Sequence, residues 1–354
     1  MIQEHLLAFF IPFGLVLFVF TPLVRKFAFR TQVLDQPDSP RKVQSAPVPK
    51  LGGWAVFLGF ASVIAVWQIF WPEFFGLFIK NNYLWGILVG GFILALGGYL
   101  DDRFVLAPRY QFLFPVLAVV ALIVSGVQLS YINNPFGGAI LFDTVKILSY
   151  PLFGGIFIFV WVLGMIYTTK FLDGLDGLVS GVAGIGAIVL FLLSQIPQVS
   201  QPDTALLSIM FAGAILGFLP WNFHPAKIYL GEGGSTFAGF MIGALAIISG
   251  GKVATALLIM GIPILDVAWV ILRRTMNQFS PFTGDRKHLH FRLLDIGLSH
   301  RQAVMVLYFF SAAFGVSGLF LQSAGKVVAL AVLFAVMVLL GGFLVIGYHR
   351  KIKN

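Results

Sequence analysis

Residues 152–178, LFGGIFIFVWVLGMIYTTKFLDGLDGL, decide the fold: an uncharged run from Leu152 to Thr169 ends in Lys170, Asp173 and Asp176. A run of that length is enough to cross the hydrocarbon core of a bilayer as a helix. An unpaired carboxylate beside lipid costs roughly 2.5–3.5 kcal/mol at a helix centre on insertion scales, so acids placed there need a reason and mark a candidate site. Gly174, Gly177 and Gly181 around them leave the backbone open to close approach.

The rest of the chain has the same character. Of its 354 residues 59% are hydrophobic, 38 are Phe and only 10% are charged, and the mean hydropathy is +0.95. Such a chain has too much apolar surface for a soluble core and reads as a polytopic membrane protein. The absence of Cys excludes disulfides, thiol catalysis and Cys-based metal sites. A net charge of +9 here reflects loop topology and anionic lipid rather than nucleic acid. The opening MIQEHLLAFFIPFG lacks a basic leader and a small-residue cleavage site, so it reads as a first span.

Eleven spans are expected, near 5–24, 51–71, 83–100, 110–127, 152–169, 178–196, 204–221, 235–249, 252–272, 303–321 and 326–347. Loops after odd-numbered spans hold nineteen of the 23 Lys and Arg; the others hold only Lys80, Lys146, Lys252 and Lys326. That asymmetry places the N-terminus outside and the C-terminus in the cytoplasm. Ten of the fourteen acids then lie at or near the cytoplasmic side, so the chemistry is expected there. Outside, VQLSYINNPFGGAILFD reads as two short strands about a turn. No soluble segment or repeat stands out, which leaves one membrane domain over 1–354.

Five constellations carry chemistry. In the first loop Pro37, Pro40, Pro47 and Pro49 forbid helix, and Arg41, Lys42 and Lys50 are suited to phosphates or merely set topology. In GYLDDRF, Asp101 and Asp102 point about 100° apart on a helix, so one serves as base or metal ligand while the other supports it, or both cap the next segment. In KFLDGLDGL, a helix would bring Lys170, Asp173 and Asp176 to one face, with Lys170 paired to an acid, although glycines make poor helix. In YLGEGGSTF, Ser235 or Thr236 is placed to cap the next helix, the glycine turn offers N–H groups to an anion, and Glu232 offers a carboxylate to a divalent cation. No Gly-Lys-Ser/Thr follows, which excludes a Walker-type loop. In DRKHLHFRLL, His288 and His290 beside Arg286, Lys287 and Arg292 suit a pyrophosphate better than zinc. Asp266, inside the ninth span after Pro263, is costly unless it faces the polar site or a partner such as Arg273. Together these groups suit phosphoryl attack on a nucleotide pyrophosphate at the membrane surface.

The order and spacing of PRKVQSAPVPKLGG, GYLDDR, KFLDGLDGL, YLGEGGST and DRKHLHFRLL resemble the polyprenyl-phosphate N-acetylhexosamine-1-phosphate transferases over nearly the whole chain. The resemblance implies an all-α integral membrane bundle of about eleven transmembrane helices with a cytoplasmic active-site cleft. It also implies Mg²⁺-dependent transfer (Mn²⁺ as a substitute ion) of a sugar-1-phosphate from a UDP-N-acetylhexosamine to undecaprenyl phosphate, with release of UMP. By position it makes Asp101, Asp102 and Asp173 catalytic, gives Glu232 and Asp101 to the metal, and assigns Asp176 to uridine. His288 and His290 match the motif that helps bind pyrophosphate and sugar, with Lys170, Arg41, Lys42, Arg286 and Lys287 as further substrate contacts. The implied partners are the bilayer and the two substrates, with a homodimer admissible and nucleic acid excluded.

The chain departs from that pattern where the family carries Asn at position 170, a metal ligand, and Asp at position 232. Either the metal is held differently or Lys170 supplies its charge. Gln44 and Phe291 stand where relatives have His, which argues against the pentapeptide-specific branch and for N-acetylglucosamine. The readings carried beside this one are phospho-N-acetylmuramoyl-pentapeptide transfer, an ion-coupled transporter, and an inactive relative that only binds lipid phosphate.

Overall fold

The computed structural model describes residues 2–37, 46–72, 79–147, 150–278 and 288–353. Arg41, Lys42, Gln44, Arg286 and Lys287, expected near phosphate or in the family motifs, lie outside the described residues.

Helices dominate. They are α1 (Ile2–Leu15), α2 (Thr21–Arg30), α3 (Gly52–Phe70), α4 (Asn81–Phe104), α5 (Pro108–Val124), α6 (Leu152–Leu172), α7 (Leu178–Gln195) and α8 (Pro202–Asn222), followed by α9 (Gly231–Ile248), α10 (Val253–Ile259), α11 (Gly261–Met276), α12 (Leu289–Asp295), α13 (His300–Phe320) and α14 (Ser323–Lys353). A π-helical turn, Val16–Phe20, joins α1 to α2 into one long rod. Its cause is Pro22, which has no N–H for the carbonyl four residues earlier and so loosens the turn before it.

By length and composition nine helical rods among the described residues can cross a membrane, ten if the bent pair α10–α11 is one span. The remaining expected span is α5, apolar but only 17 residues long. The main departure is the ninth span, expected as one helix over 252–272: α10 and α11 meet at a 77° bend. Pro263 offers no N–H to the carbonyl of Ile259, and the ladder breaks between them. The chain is thus an all-α multi-pass membrane bundle.

The expected outer strands are present, with Tyr131–Asn133 paired antiparallel to Ala139–Leu141. This hairpin precedes α6, while the acidic turn follows it. Two shorter pairs, Leu34–Asp35 with Val48–Pro49 and Lys146–Ile147 with Tyr150–Pro151, tie down loop ends.

The bundle is layered by burial: the best windows of α7, α8 and α9 are 72%, 78% and 83% buried, against 11% for α14 at the rim. At its heart Phe57 meets Phe237 at 5.6 Å, Phe60 meets Phe211 at 5.9 Å and Phe211 meets Phe237 at 5.8 Å, all edge to face. Aromatic pairs prefer that geometry, and it braces α3, α8 and α9 behind the acids.

Two glycine contacts then draw three helix ends together. A Cβ on Gly53 would lie 2.2 Å from the Gly234 nitrogen, and one on Gly98 would lie 2.0 Å from that of Gly233. Only hydrogen at these positions lets α3 and α4 touch the first turn of α9 backbone to backbone. The first loop is bound to the same place, since Gly52 and Gly53 donate their N–H groups to the carbonyls of Tyr229 and Leu230 at 3.0 and 2.7 Å.

Candidate active site

The glycine contact between α4 and α9 brings Asp102 against the start of α9, where its Oδ2 accepts the backbone N–H of Glu232 at 3.2 Å. The helix starts at Gly231 rather than near residue 235, so Ser235 and Thr236 are not caps. Their hydroxyls donate back to carbonyls at 231–233 instead. The unpaired N–H groups and positive dipole of a helix start favour an anion, and the one held there is Asp102.

Gly231 has φ +76°, and a Cβ on it would strike the Lys50 carbonyl at 1.8 Å. Glycine is therefore what lets the first loop close over this point. Lys50 itself pairs with Asp35 at 3.3 Å.

Asp101, one residue before Asp102, faces another way, as the helical rotation requires. Its Oδ1 accepts from the Leu106 N–H at 2.9 Å and from Gln111 Nε2 at 3.0 Å. The other end of Gln111 accepts from Lys170 Nζ at 3.1 Å. Lys170 Nζ also pairs with Glu232 Oε1 at 2.6 Å. The sequence pattern suggested a bond from Lys170 to a neighbouring acid; the actual partner lies far away in the chain. One continuous line, Asp101–Gln111–Lys170–Glu232–Asp102, therefore joins α4, α5, α6 and α9. A small pocket lies on it, lined by Gly97, Gly98, Asp101, Gln111, Glu232 and Thr236.

The DGLDG turn is not helix. α6 ends at Leu172 and α7 begins at Leu178, after Gly177 with φ +80°. Buried Asn222 shapes it by accepting from the Gly177 N–H at 3.1 Å and the Ser180 hydroxyl at 2.8 Å, and Tyr308 donates its hydroxyl to the Gly177 carbonyl.

Asp173 is exposed at this turn, with its carboxyl end near the charges of Glu232 and Asp176. Burial of that end first, then the charges of Glu232 and Asp176, push it up to about 7. Nearby carboxylates and loss of water both disfavour the charged form. Asp176 points away from this line. Its Oδ2 accepts from His224 Nδ1 at 2.7 Å and from the Ala226 N–H at 3.1 Å, and nearby Tyr229 has its phenol pushed up, chiefly by burial and next by Asp176.

The histidine segment closes the other side. A Cβ on Gly174 would lie 2.2 Å from His290 Nε2, so the space left by that glycine is filled by an imidazole. His290 is 1% exposed, and among the described residues neither of its ring nitrogens has a hydrogen-bond partner. Burial, with the neighbouring charges of His288 and His300, lowers it to about 3, so it stands neutral. His288 stacks parallel to it at 5.6 Å and faces Phe171 at 6.2 Å.

A divalent ion held by Glu232 and Asp101 does not suit this donor set. An ammonium already neutralises Glu232, and Asp101 Oδ1 accepts two hydrogen bonds. Lys170 is donor-only. Among the described residues, the group of three that offers ligand atoms within 4.8 Å of one another is Asp176, His224 and His300. The two rings there stack face to face at 4.0 Å, and His224 Nδ1 is already bonded to Asp176.

His224, His300, Gln111, Asn222 and Tyr308 were not singled out from the sequence. The first two sit in short polar breaks between spans, NFHPAK and LSHRQ, but nothing in either break links it to Asp176. Gln111 lies in an apolar helix and carries no motif at all.

Comparison with known proteins identifies the family. The family model described as glycosyl transferase family 4 matches residues 84–250, which include Asp101, Asp102, Asp173, Asp176 and Glu232. The chain is 31% identical over 352 residues (96% of this chain, 92% of the relative) to a probable undecaprenyl-phosphate N-acetylglucosaminyl 1-phosphate transferase of Bacillus subtilis. It is 31% identical over 357 residues (92% and 86%) to the decaprenyl-phosphate N-acetylglucosaminephosphotransferase of Mycolicibacterium smegmatis. A third relative, 29% identical over 311 residues (86% and 88%), is the undecaprenyl-phosphate alpha-N-acetylglucosaminyl 1-phosphate transferase of Thermotoga maritima. With similarity over nearly its full length and the acids of three separate segments gathered at one end of the bundle, the chain belongs to glycosyl transferase family 4.

Proposed function

We propose that this chain transfers N-acetylglucosamine-1-phosphate from its UDP-linked donor to a polyprenyl phosphate of undecaprenyl type, releasing UMP at the cytoplasmic face of a bacterial plasma membrane. The observation that carries the reading is the line of contacts from Asp101 through Gln111, Lys170 and Glu232 to Asp102, with Asp173 near Glu232 and His290 seated on Gly174 of the acidic turn. Acids and a cation far apart in sequence are costly to gather at one end of a membrane bundle, which supports a site for charged groups there. The relatives' names supply the substrates.

In this reading an oxygen of the lipid phosphate bonds to the sugar-bearing phosphorus of the donor. The bond from that phosphorus to the bridging oxygen breaks, and the electron pair leaves with UMP. Asp102, fixed by the Glu232 amide, deprotonates or orients the attacking phosphate, with Asp101 supporting it and Asp173 open to the cleft. Lys170 supplies positive charge where negative charge builds up. His288 and neutral His290 contact the pyrophosphate and sugar, Asp176 with His224 lies on the uridine side, and Arg41, Lys42, Arg286 and Lys287 complete the phosphate contacts. Mg²⁺ or Mn²⁺ accompanies the pyrophosphate of the donor in this reading rather than resting on Glu232.

The test is a panel of UDP-sugars with undecaprenyl phosphate, scoring UMP and the lipid-linked product. UDP-N-acetylglucosamine is expected to turn over, the muramoyl-pentapeptide nucleotide is not, and Asp102→Asn is expected to lose most of the activity while staying folded. Absence of UMP with every donor, or full activity in Asp102→Asn, overturns the reading.

A further inference from the structure

Asp266 lies in the second turn of α11, just past the bend at Met260, and is buried at 7% exposure. A carboxylate at that depth has to be hydrogen-bonded or it costs several kcal/mol. Both of its oxygens are used on the histidine segment: Oδ2 faces His288 Nδ1 at 2.8 Å, and Oδ1 accepts the N–H of Leu289 at 2.8 Å. His288 is itself buried.

An ionised carboxylate only accepts, so the proton between them sits on Nδ1 of His288. That leaves Nε2 as the ring atom available to a ligand, because the partner of one imidazole nitrogen sets the role of the other. The Leu289 bond locks the backbone between the two histidines. With the ring of His288 parallel to that of His290 and His290 seated on Gly174, the carboxylate holds the whole His-Leu-His unit against the acidic turn.

We propose that Asp266 is a positioning residue of the transferase site: it fixes the tautomer and rotation of His288 and, through the Leu289 amide, the seat of His290. The proposal rests on the transferase reading above. Among the described residues Asp266 bonds to His288 and Leu289 and not to the Asp101–Glu232 line, so its effect on turnover passes through the histidines.

A double-mutant cycle on the full-length protein in detergent tests it, with kcat/KM for UMP release from UDP-N-acetylglucosamine and undecaprenyl phosphate as the readout. Asp266→Asn keeps an oxygen for Leu289 but can turn a donor toward Nδ1, which an Nδ1–H cannot accept. A fall of about 10–100-fold is expected, by analogy with the range found when the outer partner of a metal-ligating histidine is lost, with the unfolding temperature nearly unchanged. Asp266→Glu is expected to recover part of the activity. The double variant Asp266→Asn/His288→Gln is expected to be no slower than His288→Gln alone.

Losses that multiply in the double variant, or wild-type turnover in Asp266→Asn, overturn the proposal. If Asp266→Asn does not fold, the cycle with Asp266→Glu and His288→Gln is decided in the same way. A wild-type protein that releases no UMP overturns the transferase reading, and the positioning role with it. A wild type that turns over while the cycle is additive overturns the positioning role alone.

Discussion

At the level of single residues, the Lys170–Glu232 pair at 2.6 Å separates this chain from the pattern its sequence resembles. An ammonium beside a carboxylate satisfies its charge without a metal ion, and Gln111 holds the same ammonium at 3.1 Å. Both side chains are less than a fifth exposed, so water screens the pair only weakly. Removing the cation should leave Glu232 as a carboxylate in search of one. Lys170→Asn, alone and with Glu232→Asp, is therefore expected to create tight Mn²⁺ binding in the absence of nucleotide, read by electron paramagnetic resonance. It is also expected to make UMP release depend more steeply on added Mg²⁺ than in the wild type. Equal Mn²⁺ affinity in wild type and both variants would show that the ammonium does not stand in for an ion. The sequence announced the two departures at 170 and 232, but not that they are one feature. Only the approach of α6 to α9 makes them partners.

Elements were read from the chain with uneven success, for physical reasons. Long apolar runs ended by charge gave nine of the expected spans and, as a shorter helix, α5, because lipid tolerates little else. The bent span was missed: the apolar run 252–272 continues through Pro263, and hydropathy does not register a lost hydrogen bond. Discontinuous helices are also common in transporters, but here the acid past the break is bound to His288 and Leu289. Glycine carries information of a different kind. Gly98 and Gly164 both sit in spanning helices, yet a Cβ on the first would meet the Gly233 backbone at 2.0 Å and on the second would meet nothing within 4 Å. Gly98→Ala is expected to destabilise the protein by about 1–3 kcal/mol through overpacking and to push Glu232 off Asp102, lowering turnover as well. Gly164→Ala is expected to be neutral or to stabilise by up to about 1 kcal/mol through helix propensity. Thermal unfolding in detergent compares the two, and equal effects would remove the case for backbone contact at the α4–α9 crossing.

For the whole molecule, position along α6 sets the two faces apart. The hairpin of residues 131–141 precedes its first residue, Leu152, while the acidic turn follows its last, Leu172. At 1.5 Å per residue that helix is about 30 Å long, the thickness of the hydrocarbon core. The hairpin and the active site consequently open on opposite sides, whichever way the protein is inserted. We propose from the expected sorting of the loops, with nineteen of the 23 Lys and Arg after odd-numbered spans, that the acids face the cytoplasm, where positive loops are retained. Because the chain has no Cys, single-cysteine variants report each face without background. Phe136, 90% exposed in the hairpin, and Met276, 77% exposed at the end of α11, are suitable sites. Phe136→Cys is expected to react with a membrane-impermeant maleimide in intact cells, and Met276→Cys only after permeabilisation. The reverse pattern would put the acids, and with them any UDP-linked donor, on the outer side, where a cytoplasmic nucleotide could not reach them.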